Sequence, residues 1–227
     1  MVPGWLQAVA WVSLAVAVAS SLIILADIRL AGFRQPMGVM EWVWPITALY
    51  LGPFGLAFYW WAGRSASPKW VAAHGERSLP HRVRVAVAST HCGGGCTLGD
   101  LIAETTIFAF GITLFGATIW ASFVFDFALA LVLGVLFQFA AIRAMSSEPT
   151  GVLLRRAAKA DFWSLSAFEV GLFGWMALMW WVFFPDPHLT PASASFWFLM
   201  QVGMAIGLVT SYPMNTLLIA RGVKEAM

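Results

Sequence analysis

The stretch Trp5–Ala26 (WLQAVAWVSLAVAVASSLIILA) contains no ionisable residue over its 22 positions. A helix that crosses a bilayer needs about 20 consecutive, predominantly apolar residues. A secretory signal peptide would begin with basic residues and carry an apolar run of only about 7–15 residues. No basic residue precedes Trp5, so we expect this stretch to be retained as the first helix of an integral membrane protein.

The composition of the whole chain favours the same class. Of the 227 residues, 60% are hydrophobic and 11% are charged, and the mean hydropathy is +0.80. Soluble domains carry about 25% charged residues, so a soluble enzyme and a disordered chain are both disfavoured. The net charge of +2 offers no basic groove for nucleic acid. The lipid bilayer is therefore the expected partner.

Apolar stretches separated by polar segments predict an all-α bundle of six transmembrane helices, in a single domain over residues 1–227. A kink or a broken turn is expected in the second span, which contains Pro45 and Pro53. The predicted spans are about 5–26, 42–62, 98–120, 123–142, 162–184 and 196–220.

The lysines and arginines predict the orientation. With six spans, only Arg29 and Arg34 fall on one side of the membrane, and the other eleven basic residues fall on the opposite side. Basic loops stay in the cytoplasm, so we expect both termini to be cytoplasmic and the protein to lie in the inner (cytoplasmic) membrane. The eleven residues are Arg64, Lys69, Arg77, Arg82, Arg84, Arg143, Arg155, Arg156, Lys159, Arg221 and Lys224.

The most unusual stretch is residues 90–100, THCGGGCTLGD. Thiolate and imidazole are ligands that Cu(I) and Zn(II) prefer, so His91, Cys92 and Cys96 are candidate metal ligands at the start of the third span. If the segment is helical, Cys92, Cys96, Asp100 and Glu104 recur every four residues and form one polar stripe. Acids inside a membrane span are costly unless they face protein or water.

Two other interpretations of this block remain open. The glycines and cysteines can be small residues that allow helices to pack closely. The two thiols can also form a redox pair, although three residues separate them and the usual redox motif has two. Three further acids lie outside the block. A functional and a structural role are equally expected for Glu169, and a structural role is favoured for Asp126 and Asp161.

Methionines form a further set of soft candidate ligands, since thioethers suit Cu(I). Filling gaps in an apolar core is the alternative role, and the more common one. With six spans, all of these side chains fall in the outer half of the protein. They are Met37, Met40, Met176, Met179, Met200 and Met204.

The block resembles a bacterial family of polytopic membrane proteins, a domain of unknown function, that carries His-Cys-Gly-x-Gly-Cys-Thr-Leu-Gly-Asp. The resemblance extends from about Met40 to the C-terminus and includes Ser211-Tyr212-Pro213-Met214-Asn215. Relatives are sometimes labelled as copper-related. The resemblance therefore implies a link to copper without implying an activity.

Our leading hypothesis is a protein that binds or moves a soft metal ion, copper above all. Asp100, Glu104 and Glu169 would line its route. The alternatives are a structural or assembly subunit of a larger membrane complex, a homo-oligomer included, and a membrane thiol oxidoreductase. No nucleotide-binding motif is present, so we expect no nucleotide cofactor. We also expect no haem, because paired histidines inside the spans are missing. No catalytic residues are identified, and an enzyme is the less favoured reading.

Overall fold

The computed structural model describes residues 2–224, and in that range all regular secondary structure is helical apart from one isolated bridge between Leu114 and Ala117. The predicted all-α fold is confirmed. Irregular helical turns extend α3 over Tyr59–Gly63 and Arg64–Ala66, and α7 over Met179–Phe183. The helices are α1 Gly4–Arg29, α2 Met40–Leu51, α3 Pro53–Phe58, α4 Pro68–His74, α5 His81–Phe110, α6 Thr118–Met145, α7 Thr150–Leu178 and α8 Ala194–Ala220.

Within residues 2–224, four helices are long and apolar enough to cross a membrane: Gly4–Arg29, Thr118–Ala144, Thr150–Phe183 and Ala194–Ala220. They contain the first, fourth and sixth predicted spans and all of the fifth except residue 184, and they identify the chain as a membrane protein. The longest of the four, Thr150–Phe183, has 34 residues and extends beyond hydrocarbon-core length, because basic and polar residues at its start continue the helix. The count of six is not confirmed, since the other two predicted spans fold differently.

The segment predicted as the second span, 42–62, folds as a hairpin of two short helices. Gly52, at φ +55°, reverses the chain between α2 and α3. The two arms then pack side by side: a Cβ on Gly55 would lie 2.9 Å from Ala48 Cα, and Tyr59 packs edge-on against Trp44. The 12 residues of α2 extend about 18 Å, well short of the roughly 30 Å of a hydrocarbon core. A hydropathy pattern cannot distinguish such a hairpin from one continuous span.

The third predicted span, 98–120, is displaced from the observed helix. α5 begins at His81 and ends at Phe110, and a turn occupies residues 111–117. Residues 81–97 contain arginines and three consecutive glycines, which is why their sequence resembles a polar loop. α5 nevertheless remains helical, because it packs against α2, α6, α7 and α8.

Successive long helices from α5 to α8 run antiparallel. Gly95 of α5 packs against Gly134 of α6, and Trp175 of α7 donates a hydrogen bond of 2.8 Å to the Leu199 carbonyl of α8. α1 runs parallel to α8, since Ser13 donates a 2.8 Å hydrogen bond to Gln201, near the start of each helix. We call the end of the bundle where α1, α6 and α8 finish, and where α5 and α7 begin, the basic end.

All 13 lysines and arginines lie toward the basic end. Arg29 and Arg34 belong there too, because both pair with Glu41 at the base of the hairpin, at 3.3 and 2.6 Å. Their predicted placement on the opposite side is wrong, for the reason that the hairpin returns the chain to the end from which it started.

The same reversal overturns the prediction that the chain starts and ends on one side. The start of α1 lies beside the loop Phe183–Leu189, at the end opposite to the basic end. α8 finishes at the basic end, where Tyr212 donates a 3.2 Å hydrogen bond to the Arg82 carbonyl. Met1 and Met227 themselves lie outside the described residues, but Val2 and Lys224 are at opposite ends of the bundle.

Candidate functional site

The His-Cys-Gly block lies well inside α5 rather than at a helix mouth. His91 is ten residues beyond the start of the helix at His81, a distance of about 15 Å. The predicted position at the start of the third span is therefore wrong. His91, Cys92 and Cys96 are all buried. The expectation of no haem assumed in part that every histidine lies in a loop or at the end of a span, and His91 does not.

Gly95 and Gly99 of the block face α6 and allow it to approach closely. A Cβ on Gly95 would lie 2.8 Å from Gly134 Cα, and one on Gly99 would lie 2.7 Å from the Ala130 nitrogen. Such distances require the neighbouring backbone to move. Close packing of small residues therefore describes Gly95 and Gly99. It leaves the role of the cysteines open, because Cys92 contacts the polar side chains of Asp161, Ser164 and Lys224.

Cys92 lies in a buried polar cluster between α5, α7 and the end of α8. Its Sγ is 2.9 Å from Ser164 Oγ and 3.4 Å from both Asp161 Oδ1 and Lys224 Nζ. Ser164 and Lys224 each donate a hydrogen bond to Asn215 Oδ1, at 2.8 and 2.7 Å. These five residues, which we call the lysine cluster, join three helices near the basic end.

Cys96 lies one turn further along α5, next to Glu169 of α7. Asp100 and Glu104 follow on the same face. Asp100 is close enough to Glu169 and Glu104 to interact with both electrostatically, and Asp126 of α6 interacts with Glu104. The four acids, Asp100, Glu104, Asp126 and Glu169, form a second buried group that we call the carboxylate cluster.

The acids of the carboxylate cluster are buried, and most of their carboxyl oxygens have no hydrogen-bond partner within 3.5 Å in the described residues. Asp100, Asp126 and Glu169 each have two carboxylate oxygens without a partner, and Glu104 has one. The expectation that Asp100 and Glu104 face protein rather than lipid agrees with their exposed fractions of 3% and 4%. Unpartnered carboxyl oxygens inside a membrane bundle provide sites for a proton, a water molecule or a cation.

Two cavities reach this cluster. One of about 80 Å³ is bordered by Glu104 together with Met176, Met179 and Met200. The other, of about 190 Å³, is bordered by Asp100 together with Met200 and Met204. Four of the six predicted methionines therefore lie around the acids, on the side of the bundle away from the basic end.

Met37 and Met40 do not belong to that set. They pack with Ile28, Val43 and Trp44 where the hairpin meets the end of α1. That position is at the basic end, so their predicted placement in the outer half is wrong. The cause is again the hairpin, which moves the segment before α2 to the other face.

The predicted ligands His91, Cys92 and Cys96 do not converge on one point. Cys92 belongs to the lysine cluster and Cys96 lies beside Glu169, while both ring nitrogens of His91 lack a hydrogen-bond partner. Among residues 2–224, no three His, Cys, Asp or Glu side chains are arranged to hold a metal ion. A metal would need the side chains of α5 and α7 to rearrange around it.

Three members of the lysine cluster, Ser164, Asn215 and Lys224, were not among the residues singled out as site candidates. Lysine side chains are mostly exposed in proteins, and Asn215 entered the sequence analysis only within the stretch 211–215 that carries the family resemblance. Nothing near Lys224 in the sequence indicates that the chain turns back into the bundle, apart from Gly222, a residue common after helix ends.

A family model described as a domain of unknown function (DUF4396) matches residues 82–224. The match begins at Arg82, at the start of α5, whereas the sequence resemblance was expected from about Met40. It thus contains α5 to α8 and both buried clusters, and it leaves out α1 and the hairpin. Comparisons with curated proteins and with solved structures give no match.

Proposed function

We propose, for a chain that belongs to the DUF4396 family of unknown function, that the protein binds a cation inside its helix bundle and moves it along α5. The row Cys92, Cys96, Asp100 and Glu104 is the observation that carries this proposal. Its four members recur every four residues, are all buried and extend over about 18 Å. Buried acids in a membrane are expensive, and they commonly mark ion pathways.

Copper(I) is the cargo that we favour. The row begins with two thiols and ends at a cavity that contains Glu104 and three methionines. Thiolates and thioethers are the soft ligands that Cu(I) selects. Because Cu(I) accepts few ligands, Cys92 and Cys96 can hold it on one helix face with His91 or a carboxylate as a third ligand, after the rearrangement noted above.

A proton is the second candidate cargo. One observation favours it specifically: seven carboxyl oxygens of the carboxylate cluster have no hydrogen-bond partner, while no three-ligand group is formed in residues 2–224. A proton needs only successive acids and water molecules, without a fixed coordination geometry. The two cargoes differ in their need for the thiols, which allows an experiment to separate them.

For the orientation, we propose five membrane crossings, by α1, α5, α6, α7 and α8, with the α2–α3 hairpin inserted from the basic end. The location of all 13 lysines and arginines toward that end supports its assignment to the cytoplasm. The proposed setting is the inner membrane of a bacterium. In this arrangement the lysine cluster is near the cytoplasm and the methionine-bordered cavity is near the outer face.

Metal analysis of the purified protein tests the proposal. We expect stoichiometric Cu(I) under reducing conditions, with zinc bound less tightly, and loss of the copper in Cys96→Ser. His91→Ala should weaken binding without abolishing it. Ser166→Ala, a change at a partly exposed position on α7, is the control. Absence of copper from the wild-type protein would overturn copper as the cargo.

Transport into liposomes then separates the cargoes. Vesicles that enclose a Cu(I) indicator report copper entry, and vesicles that enclose a pH dye report protons. Loss of proton flux in Asp100→Asn with an unchanged flux in Cys92→Ser would favour the proton. A disulfide that forms reversibly between Cys92 and Cys96, without flux of either ion, would favour the thiol oxidoreductase. A protein that shows neither ion flux nor disulfide formation, and that is found only within a larger membrane assembly, would favour the structural subunit.

A further inference from the structure

The lysine cluster contains a buried cation that belongs to the protein itself. Lys224 is only 3% exposed, and its Nζ lies 2.7 Å from Asn215 Oδ1 and 3.4 Å from Cys92 Sγ. Burial of an ammonium group costs several kcal/mol unless other groups replace its water. Here an amide oxygen and a sulfur replace part of it, and the nearby carboxylate of Asp161 attracts the charge.

The turn that ends α8 places Lys224 in this position. Gly222 adopts a left-handed conformation, with φ +66°. The Val223 and Lys224 nitrogens both donate hydrogen bonds to the Leu218 carbonyl, at 2.9 and 3.3 Å. Such a turn after a helix reverses the chain direction. It brings the lysine side chain back between α5, α7 and α8.

We propose that Cys92, Asp161, Ser164 and Asn215 form a binding site for one monovalent cation, and that the Lys224 ammonium group is its tethered occupant. A small cation such as a primary alkylammonium, or the cargo ion, would take the same place when the lysine leaves. The unpartnered second oxygen of Asp161, a residue only 1% exposed, is a further ligand for such an ion.

This inference deepens the proposed function and rests on it for the identity of the competing cargo. The lysine cluster lies at the basic end of the row, before Cys96 and the carboxylate cluster. An ion that enters the row from that end meets the Lys224 ammonium first. Like charges repel, so the lysine must leave before the ion can bind to Cys92.

The accessibility of Cys92 tests the site without any measurement of transport. In a Cys96→Ser background Cys92 is the only thiol. Its labelling by 2-(trimethylammonium)ethyl methanethiosulfonate can be timed with the full-length protein in inverted membrane vesicles. We expect Lys224→Ala to raise the labelling rate by about tenfold, because the truncation removes the side chain that covers the buried thiol. Arg221→Met, a neighbouring exposed cation, should leave the rate unchanged.

Chemical rescue distinguishes a cation site from a side chain that only blocks access to Cys92. Ethylammonium chloride should restore slow labelling in Lys224→Ala, and sodium chloride at equal ionic strength should do so much less. Equal labelling rates in Lys224→Ala and the Cys96→Ser parent would overturn the inference. A faster rate that ethylammonium slows no more than sodium does would also overturn it.

A second variant covers the case in which Lys224→Ala does not fold. Gly222→Ala strains the turn, because a left-handed conformation is unfavourable for alanine, while its Cβ would meet no atom within 4 Å. It should also raise the labelling rate, and an unchanged rate would count against the inference. A protein that binds no copper can still show the expected Cys92 labelling rates. The labelling experiment therefore distinguishes an error in the proposed cargo from an error in the proposed cation site.

Discussion

Tyr59 Oη donates a 2.8 Å hydrogen bond to Asp27 Oδ2, which joins the returning arm of the hairpin to the end of α1. The same Asp27 oxygen pairs with Arg64 at 3.2 Å. Residues 27 and 59 are thus neighbours at the same end of the bundle, although a continuous helix over 42–62 would place the end of that segment on the far side. This contact is the local evidence for the five-crossing arrangement.

The arrangement predicts reporters on opposite sides of the membrane. A fluorescent protein fused after the last residue should be active in the cytoplasm, because Lys224 is at the basic end. A periplasmic reporter fused before the first residue should be active outside, because α1 begins at the other end. If both fusions reported the same compartment, residues 42–62 would have to form a complete membrane span instead of a hairpin.

The Tyr59–Asp27 contact predicts the stability of the hairpin. Tyr59→Phe removes a hydrogen bond to a carboxylate and should lower the free energy of unfolding by about 1.5–3 kcal/mol. Tyr212→Phe is a matched control, since its hydroxyl makes an exposed hydrogen bond to the Arg82 carbonyl. Thermal denaturation in detergent measures both. Equal losses of unfolding free energy in the two variants would show that the Tyr59–Asp27 hydrogen bond stabilises the protein no more than an exposed one.

The glycine face of α5 predicts a position-specific response to alanine. Gly95→Ala and Gly99→Ala should each destabilise the protein by about 1–3 kcal/mol through overpacking against α6. Gly94→Ala should be tolerated, because its Cβ would lie 3.4 Å from the nearest atom, in the Phe137 ring. Denaturation of the three variants side by side provides the measurement. A Gly94→Ala variant as unstable as the other two would contradict the packing described here.

The carboxylate cluster predicts that activity and stability respond in opposite directions. Asp100→Asn and Glu104→Gln remove ionisable groups that face one another, so stability should stay the same or rise. Cation flux into liposomes should fall at least about tenfold, since acids that line an ion pathway are functional. Glu76→Gln, an exposed acid, is the control for both measurements. Undiminished cation flux in Asp100→Asn would show that the carboxylate cluster does not line the ion pathway.

Copper binding should weaken as the solution becomes more acidic. A thiol must lose its proton before it binds a soft ion, so protons and copper compete for Cys92 and Cys96. The sign follows directly: occupancy is highest at neutral to basic pH and falls as the pH falls. Equilibrium dialysis against a buffered Cu(I) chelator at several pH values measures it. Occupancy that rises on acidification would show that the thiols are not the ligands.

Much of the fold was predictable from hydropathy alone. The sixth predicted span, 196–220, differs from α8 by only two residues at its start. The predicted interruption at Pro53 is also real, but the pattern could not show that Gly52 reverses the chain rather than bending it. Both outcomes use the same residues, and tertiary contacts such as Tyr59–Asp27 decide between them.

The candidate site was predictable in part. A spacing of four places Cys92, Cys96, Asp100 and Glu104 on one face of any helix, and that face is buried as expected. The neighbours on other helices were not predictable, because they depend on packing between distant segments. Lys224 is 132 residues from Cys92 along the chain, and no local pattern connects them.

The composition of α5 has a consequence for how the protein enters the membrane. In residues 2–224, α5 is a long helix that is not apolar enough to count among those able to cross a membrane alone, because it contains arginines, glycines and two acids. Such a segment partitions poorly from the translocon into lipid. Its glycines fit directly against Ala130 and Gly134 of α6. We therefore expect α5 to be held until α6 has been synthesised, and the two to be released into the bilayer as a pair.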